Sequence, residues 1–395
     1  MRIGIILFLL LGVDAAILLF EASTLSITYH EAEILYTQHS LLHYIISASV
    51  TLFGQNDFAL RLPMMLMHLL SALLLFAVSK PYLKYDRDRL WLVLIFVLLP
   101  GVNSAALLVD SAGLVLLLLL TYLYLWQRVP KVEPLVLAAF VFVDGSFAFL
   151  YLGRFFYALA ENKWRDLILN FVLFGASIYL FGFDTSGAPS GHFLDTLGIY
   201  AAVLSPIVFV YLVYVLYRRM ITKKRDLIWY LSASALLYSL IFSFRQRIDI
   251  ELFAPYLILA LPLGAATFFH SYRVRLRMFR NRYRVLFTVS FVLLAANGLL
   301  VLFNQQLYRF VDDPKRHFAY RAHVAKELAV ELKKMHFGCV DVVEEKRMQL
   351  RLHFYGIDFC SDKRLVPGKN EAENTVTISY TGVPIASYYV TKMHN

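Results

Sequence analysis

Charge is scarce in this chain. Asp, Glu, Lys and Arg make up 17% of its 395 residues, against 59% hydrophobic ones. A soluble domain of that size needs more charge to stay dissolved, so composition places the chain in a bilayer. Cysteine is nearly missing as well: Cys339 and Cys360 are the only two, both near the C-terminal end. No low-complexity linker interrupts the chain, and no repeat of fixed period divides it. The matched halves expected of many transporters are therefore not visible. Lys and Arg are absent altogether from Glu21 to Leu60.

Elsewhere basic residues are plentiful, and the formal charge is +10. They do not form a nucleic-acid surface, because they cluster in short loops between apolar runs. Such clusters are topology signals. They include Lys80–Arg89, Arg128 with Lys131, Arg154–Arg165, Arg218–Arg225 and Arg273–Arg284. The positive-inside rule puts all of them in the cytoplasm, together with the N-terminus. The loop 21–58 then faces outward. Only about 22 apolar residues separate the Arg128 and Arg154 clusters, although both need the same side. Two short segments, 133–144 and 147–160, meeting near Asp144-Gly145-Ser146, would satisfy the rule; a single helix would break it. Such a hairpin needs protein or a water-filled cavity around its backbone. The first run, Ile3–Phe20, is too long for a typical signal core and reads as an uncleaved span.

The expected fold is mainly α: a polytopic membrane protein of about eleven transmembrane segments over residues 1–303. A small extracytoplasmic α/β domain over 304–395 follows. Its expected elements are an amphipathic helix over Lys315–Phe337 and strands at Val340–Val343, Met348–Tyr355, Thr375–Tyr380 and Ser387–Thr391. Two cysteines outside the cytoplasm favour a Cys339–Cys360 disulfide over two free buried thiols. The expected location is the cytoplasmic (inner) membrane, multi-pass.

Candidate functional residues fall in three places. In the first outer loop, Glu31 and Glu33 are carboxylates beside a large apolar body. One of them can act as general base towards an incoming hydroxyl, or both can be ordinary surface acids. His30, Glu31, His39 and His43 offer ligands for a divalent ion, but without the tight spacing of a zinc signature. Asp110 stands at the outer start of the fourth span, where an acid is expensive unless paired. It can also cap the helix it begins. Arg245 and Arg247 break the pattern of an outer side almost free of positive charge. Guanidinium groups suit phosphate oxygens, and a salt bridge to Asp249 or Glu251 is the plain alternative. Asp14, within the first span, reads as a hydrogen-bonded structural carboxylate.

These pieces resemble the C-type membrane glycosyltransferases, specifically glycosyltransferase family 39 and its relatives, which include protein O-mannosyltransferases and lipid A aminoarabinose transferases. The similarity rests on Leu52-Phe53-Gly54, Phe58-Ala59-Leu60-Arg61-Leu62-Pro63, Leu107-Leu108-Val109-Asp110-Ser111, and Arg247 with Pro255-Tyr256 and Leu261-Pro262. It is strongest over the first 125 residues. The resemblance implies a polyprenyl-phosphate sugar donor and an inverting transfer on the outer face, without a nucleotide sugar. The acceptor would be a lipid, glycan or protein of the cell envelope. It implies that the loop acid serves as base. Together with the residues themselves this gives Glu31, assisted by His30 and supported by Asp110, as the expected catalytic group, with Arg245 and Arg247 holding the donor phosphate. One departure stands out: the family's Asp-Glu pair is His30-Glu31 here. A non-catalytic relative, or a lipid-glycan binding membrane protein, is the alternative that this change brings in.

Overall fold

The structure is a computed structural model that describes residues 2–182, 191–342, 346–368, 375–380 and 382–392. In chain order the first helices are α1 (Arg2–Thr24), α2 (Tyr29–Tyr36), α3 (Leu41–Phe53), α4 (Asp57–Val78), α5 (Asp86–Val97) and α6 (Pro100–Leu107). Then come α7 (Ser111–Arg128), α8 (Glu133–Phe140), α9 (Phe147–Ala160), α10 (Trp164–Phe181), α11 (Phe193–Leu204) and α12 (Pro206–Ile221). The last are α13 (Leu227–Ser243), α14 (Ala254–Ile258), α15 (Leu261–Val274), α16 (Arg277–Leu302), α17 (Ala325–Lys334) and α18 (Lys346–Phe354). Four strands complete the fold: β1 (Asp341–Val342), β2 (Lys363–Pro367), β3 (Thr375–Tyr380) and β4 (Val383–Lys392).

The chain is a multi-pass membrane protein by the length and composition of its helices. Among the described residues six are long and apolar enough to cross a bilayer: α1, α4, α7, α10, α14 with α15, and α16. The count reaches eight if α5 with α6 and α11 with α12 are each one bent span, at 64° and 107°. Proline explains both bends. Pro100 opens α6 and Pro206 opens α12, and a proline disfavours helical geometry in the residue before it. Ser205, just before Pro206, is outside helical geometry at φ +65° and ψ 138°. The eleven segments expected are not confirmed: α8, α9 and α13, at 8, 14 and 17 residues, are too short to be counted as crossings by length.

The chain separates into two compact units. The first comprises residues 1–15, 66–106 and 110–298. Within it α8 and α9 form an antiparallel hairpin with its turn at Asp144–Ser146. Glu133 pairs with Arg154 at 2.5 Å, Tyr151 donates to the Leu137 carbonyl at 2.8 Å, and the Phe140 and Phe147 rings stand 4.5 Å apart. The bare Cα of Gly153 lets α9 close on α13, since a Cβ there would meet the Leu231 backbone at 2.9 Å. Asp14 is indeed hydrogen-bonded, to His68 Nε2 at 2.7 Å.

The second unit comprises residues 16–65, 107–109 and 299–395. Its sheet has the order β1-β2-β4-β3, with β1 parallel to β2 and the other pairs antiparallel. Leu328 and Leu332 of α17 and Leu352 of α18 share its core with Leu365 and Val390 of the sheet. The strands expected at 375–380 and 387–391 are β3 and part of β4, while Val343 lies outside the described residues. Met348–Tyr355, expected as a strand, is helical in α18. Met348, Arg351, Leu352 and Phe354 are its buried positions, a helical period that its alternating start concealed. The helix expected over 315–337 is confined to α17, because residues 308–323 are taken up by short 3-10 turns and a stack of Tyr308, His317 and His323. Cys339 and Cys360 are joined by a disulfide with Cα atoms 5.5 Å apart, closing a loop that contains α18.

Candidate functional site

The second unit contains the loop 21–58 and the start of α4. Gly54, at φ +83°, ends α3 in a conformation that other residues adopt with strain. Asn56 then accepts from the Ala59 N–H at 2.8 Å and starts α4. Pro63 lacks the N–H that would bond the Ala59 carbonyl one turn earlier. Ser49 supplies it instead, donating to that carbonyl at 2.6 Å.

Arg61 is the centre of this region. Its side chain has no exposed surface. Its Nε donates to the Leu107 carbonyl at 2.7 Å, and its Nη1 to those of Ala22 at 3.3 Å and Leu25 at 3.2 Å. Its Nη2 donates to Ser26 O at 2.9 Å and to Glu31 Oε2 at 3.5 Å. The last carbonyls of a helix have no partner within it, and a cation there also meets the negative end of the helix dipole. Arg61 performs this service for α1 and for the end of α6.

Glu31 is 1% exposed and serves the same scaffold. It closes a capping box at the start of α2: Thr28 accepts from the Glu31 N–H, and Glu31 Oε2 accepts from the Thr28 N–H at 2.7 Å. Its other oxygen accepts from the Val109 N–H at 3.1 Å. Asp57 lies on the far side of Arg61, 3.5 Å from Nη1. It also pairs with Lys326 at 2.9 Å and accepts from the Tyr355 hydroxyl at 2.6 Å. Burial, reinforced by the Asp57 carboxylate, raises the Tyr355 pKa well above a normal phenol's. Tyr355 in turn accepts from the Ile27 N–H at 2.9 Å, and Arg351 donates to the Ile27 carbonyl at 2.7 Å. The backbone between α1 and α2 is thus held by side chains from α4 and by those of Arg351 and Tyr355.

The neighbouring candidates are less committed. His30 is exposed and Glu33 half-buried, and neither forms an ion pair among the described residues. His43 Nδ1 donates to the Ile34 carbonyl at 2.9 Å, and the exposed His39 packs edge-on against the His43 ring. Among the described residues no group of three or more His, Cys, Asp or Glu side chains is placed to hold a metal ion.

Asp110, Arg245 and Arg247 belong to the first unit. Asp110 is half-buried and caps α7, accepting from the Ala112 N–H at 2.8 Å. Arg245 and Arg247 are exposed and form no ion pair among the described residues.

No protein-family model matches the chain, and no curated protein does. Solved structures match along almost its whole length. ArnT from Cupriavidus metallidurans in the apo state matches with a TM-score of 0.57 at 12% identity, covering 97% of this chain and 97% of that one. ArnT from the same organism bound to undecaprenyl phosphate matches with a TM-score of 0.55 at 10% identity, covering 96% and 97%. The chain has the ArnT fold. The resemblance drawn from the motifs around Gly54, Arg61 and Asp110 is met at that level, since lipid A aminoarabinose transferases were among the relatives it named.

The ArnT fold does not by itself identify the residues that anchor the loop. In the sequence Arg61 stands out only as part of the motif Phe58-Ala59-Leu60-Arg61-Leu62-Pro63. A lone arginine just inside a span has to be paired, which was the available signal. Lys326, Arg351 and Tyr355 gave none, because the groups they hold in this loop, Asp57 and Ile27, lie about 300 residues away in the chain.

Proposed function

We propose that this protein is an integral membrane glycosyltransferase that takes a sugar from a polyprenyl-phosphate donor and transfers it, with inversion, to an extracytoplasmic lipid, glycan or protein. The observation that carries the proposal is the likeness, over 96% of the chain, to an ArnT structure holding undecaprenyl phosphate. The apolar helices supply a route for such a donor from within the bilayer.

Glu31 is expected to serve as base or to orient the acceptor. Three donors already occupy its oxygens, which favours orientation. His30, exposed and next in sequence, is then the group that accepts the acceptor hydroxyl's proton as oxygen attacks the anomeric carbon. An imidazole is suited to that step near neutral pH. Asp110 supports the site by fixing the start of α7. Arg245 and Arg247 neutralise the phosphate as its bond to the sugar breaks. The donor's phosphate leaves with the bonding electrons, and the proton stays on the imidazole until solvent removes it.

The test is release of polyprenyl phosphate from a lipid-linked sugar by the purified protein with candidate acceptors. Release that depends on acceptor supports the proposal, and absence of release across donors and acceptors rejects it. A second reading, a lipid-glycan binding protein without turnover, is favoured by His30 standing where the family has Asp. Saturable donor binding without release selects that reading.

A further inference from the structure

The first unit holds a cavity of about 240 Å³ between α5, α12, α15 and α16. Leu212, Leu261, Phe268, Phe287 and Phe291 make much of its wall. Two polar groups in that wall are already occupied: Thr267 donates to the Leu263 carbonyl at 2.8 Å and Tyr211 to the Gly264 carbonyl at 3.2 Å. No carboxylate is among the lining residues, whereas Arg218 is. Tyr283 also lines it, and its hydroxyl accepts from Arg275 at 2.8 Å while its ring lies 4.0 Å from that guanidinium. Nearby Arg273 is paired with Asp88. Arg218 and Arg275 are exposed and form no ion pair among the described residues.

We propose that this cavity binds an anionic phospholipid of the bilayer, with part of one acyl chain inside and the phosphate held by Arg218 and Arg275. Apolar walls favour a hydrocarbon chain over any polar ligand, whose hydrogen bonds would go unmet. Guanidinium groups pair with phosphate oxygens in a forked geometry and attract anionic headgroups. Sites that enclose a whole small ligand run to about 300–1,000 Å³, so this volume suits a chain segment and not a complete lipid. The charge rule assigns both arginines to the cytoplasmic side, opposite the face expected for sugar transfer. The occupant is therefore a structural lipid and not the donor.

Trp91 reports on the cavity, because its indole meets Phe287 and Phe291 edge-on at 5.4 and 5.5 Å. The full chain, with Trp126, Trp164 and Trp229 replaced by Phe, is reconstituted in phosphatidylcholine vesicles. Phosphatidylglycerol brominated on its acyl chains is compared with brominated phosphatidylcholine at equal mole fraction. The expected result is stronger quenching by the anionic lipid, reduced to that of the neutral one in Arg218→Gln with Arg275→Gln. Arg218→Lys retains a preference, and Ala265→Phe, which fills the cavity, loses it. Equal quenching by both lipids in the parent protein means ordinary boundary contact and overturns the proposal, as does a preference that survives removal of both arginines. Displacement of brominated phosphatidylglycerol by polyprenyl phosphate at lower mole fraction also overturns it.

Discussion

Arg61 donates five hydrogen bonds from a position with no access to solvent, and its loss is expected to unfold the second unit before it affects chemistry. Arg61→Met leaves four backbone carbonyls and the Glu31 carboxylate short of a donor. Breaking a buried ion pair from one side costs about 3–5 kcal/mol, which a thermal melt of the detergent-purified protein should register as a large drop in Tm. His30 and Glu31 separate two roles that adjacent residues could blur. His30→Gln is expected to remove transfer while leaving the melt unchanged. Glu31→Gln should lower both, because an amide nitrogen cannot accept from Thr28, Val109 or Arg61. An unchanged melt in Glu31→Gln discards the scaffold role. His323 adds a pH effect. Burial, with smaller contributions from His317 and Arg351, lowers its pKa from 6.5 to about 3. The folded state keeps it neutral while the unfolded chain takes up a proton below 6.5. Its contribution is therefore complete above pH 6.5 and declines as pH falls towards 3, by about 1.4 kcal/mol per pH unit. His323→Phe should flatten the acid side of the stability profile; an identical profile contradicts this account.

At the scale of elements, α18 is the piece on which the loop depends. It lies inside the ring closed by Cys339 and Cys360, and Arg351 and Tyr355 hold both polar groups of Ile27 from within that ring. Tyr355→Phe leaves the buried Ile27 N–H without an acceptor and one Asp57 oxygen without a donor, at about 1–3 kcal/mol. Reducing the disulfide removes a constraint worth about 2–4 kcal/mol. Both treatments are expected to speed protease cleavage near Ile27, read by mapping the fragments, and cleavage elsewhere alone would argue against the coupling. This dependence was hidden in the sequence for a specific reason. Met348, Leu350 and Leu352 alternate as a strand would, so the local pattern conceals the helix α18. By contrast, the break at Asp144–Ser146 was legible, because the charge rule demanded an even number of passes between Arg128 and Arg154. The strands at 375–380 and 387–391 were legible from their β-branched and aromatic residues.

At the scale of the whole molecule, the bilayer was written in the composition, and the fold in motifs that turned out to organise backbone. The number of crossings was not, since an eight-residue helix such as α8 rises only about 12 Å against a hydrocarbon core of about 30 Å. Nor could local patterns show that Glu31 is held by Arg61. Orientation is open to direct test: a reporter active only outside the cytoplasm, fused after Asn395, should be active, and an inactive one reverses the topology. The Ile27–Tyr355 hydrogen bond joins residues 328 positions apart. A ribosome therefore delivers the opening segment long before it delivers the groups that pin it. During synthesis the nascent chain must carry Glu21–Pro63 unfinished through every later insertion. Quality control thus has one late event to inspect, the arrival of the last hundred residues, and a polypeptide stopped short of α18 should be destroyed rather than retained.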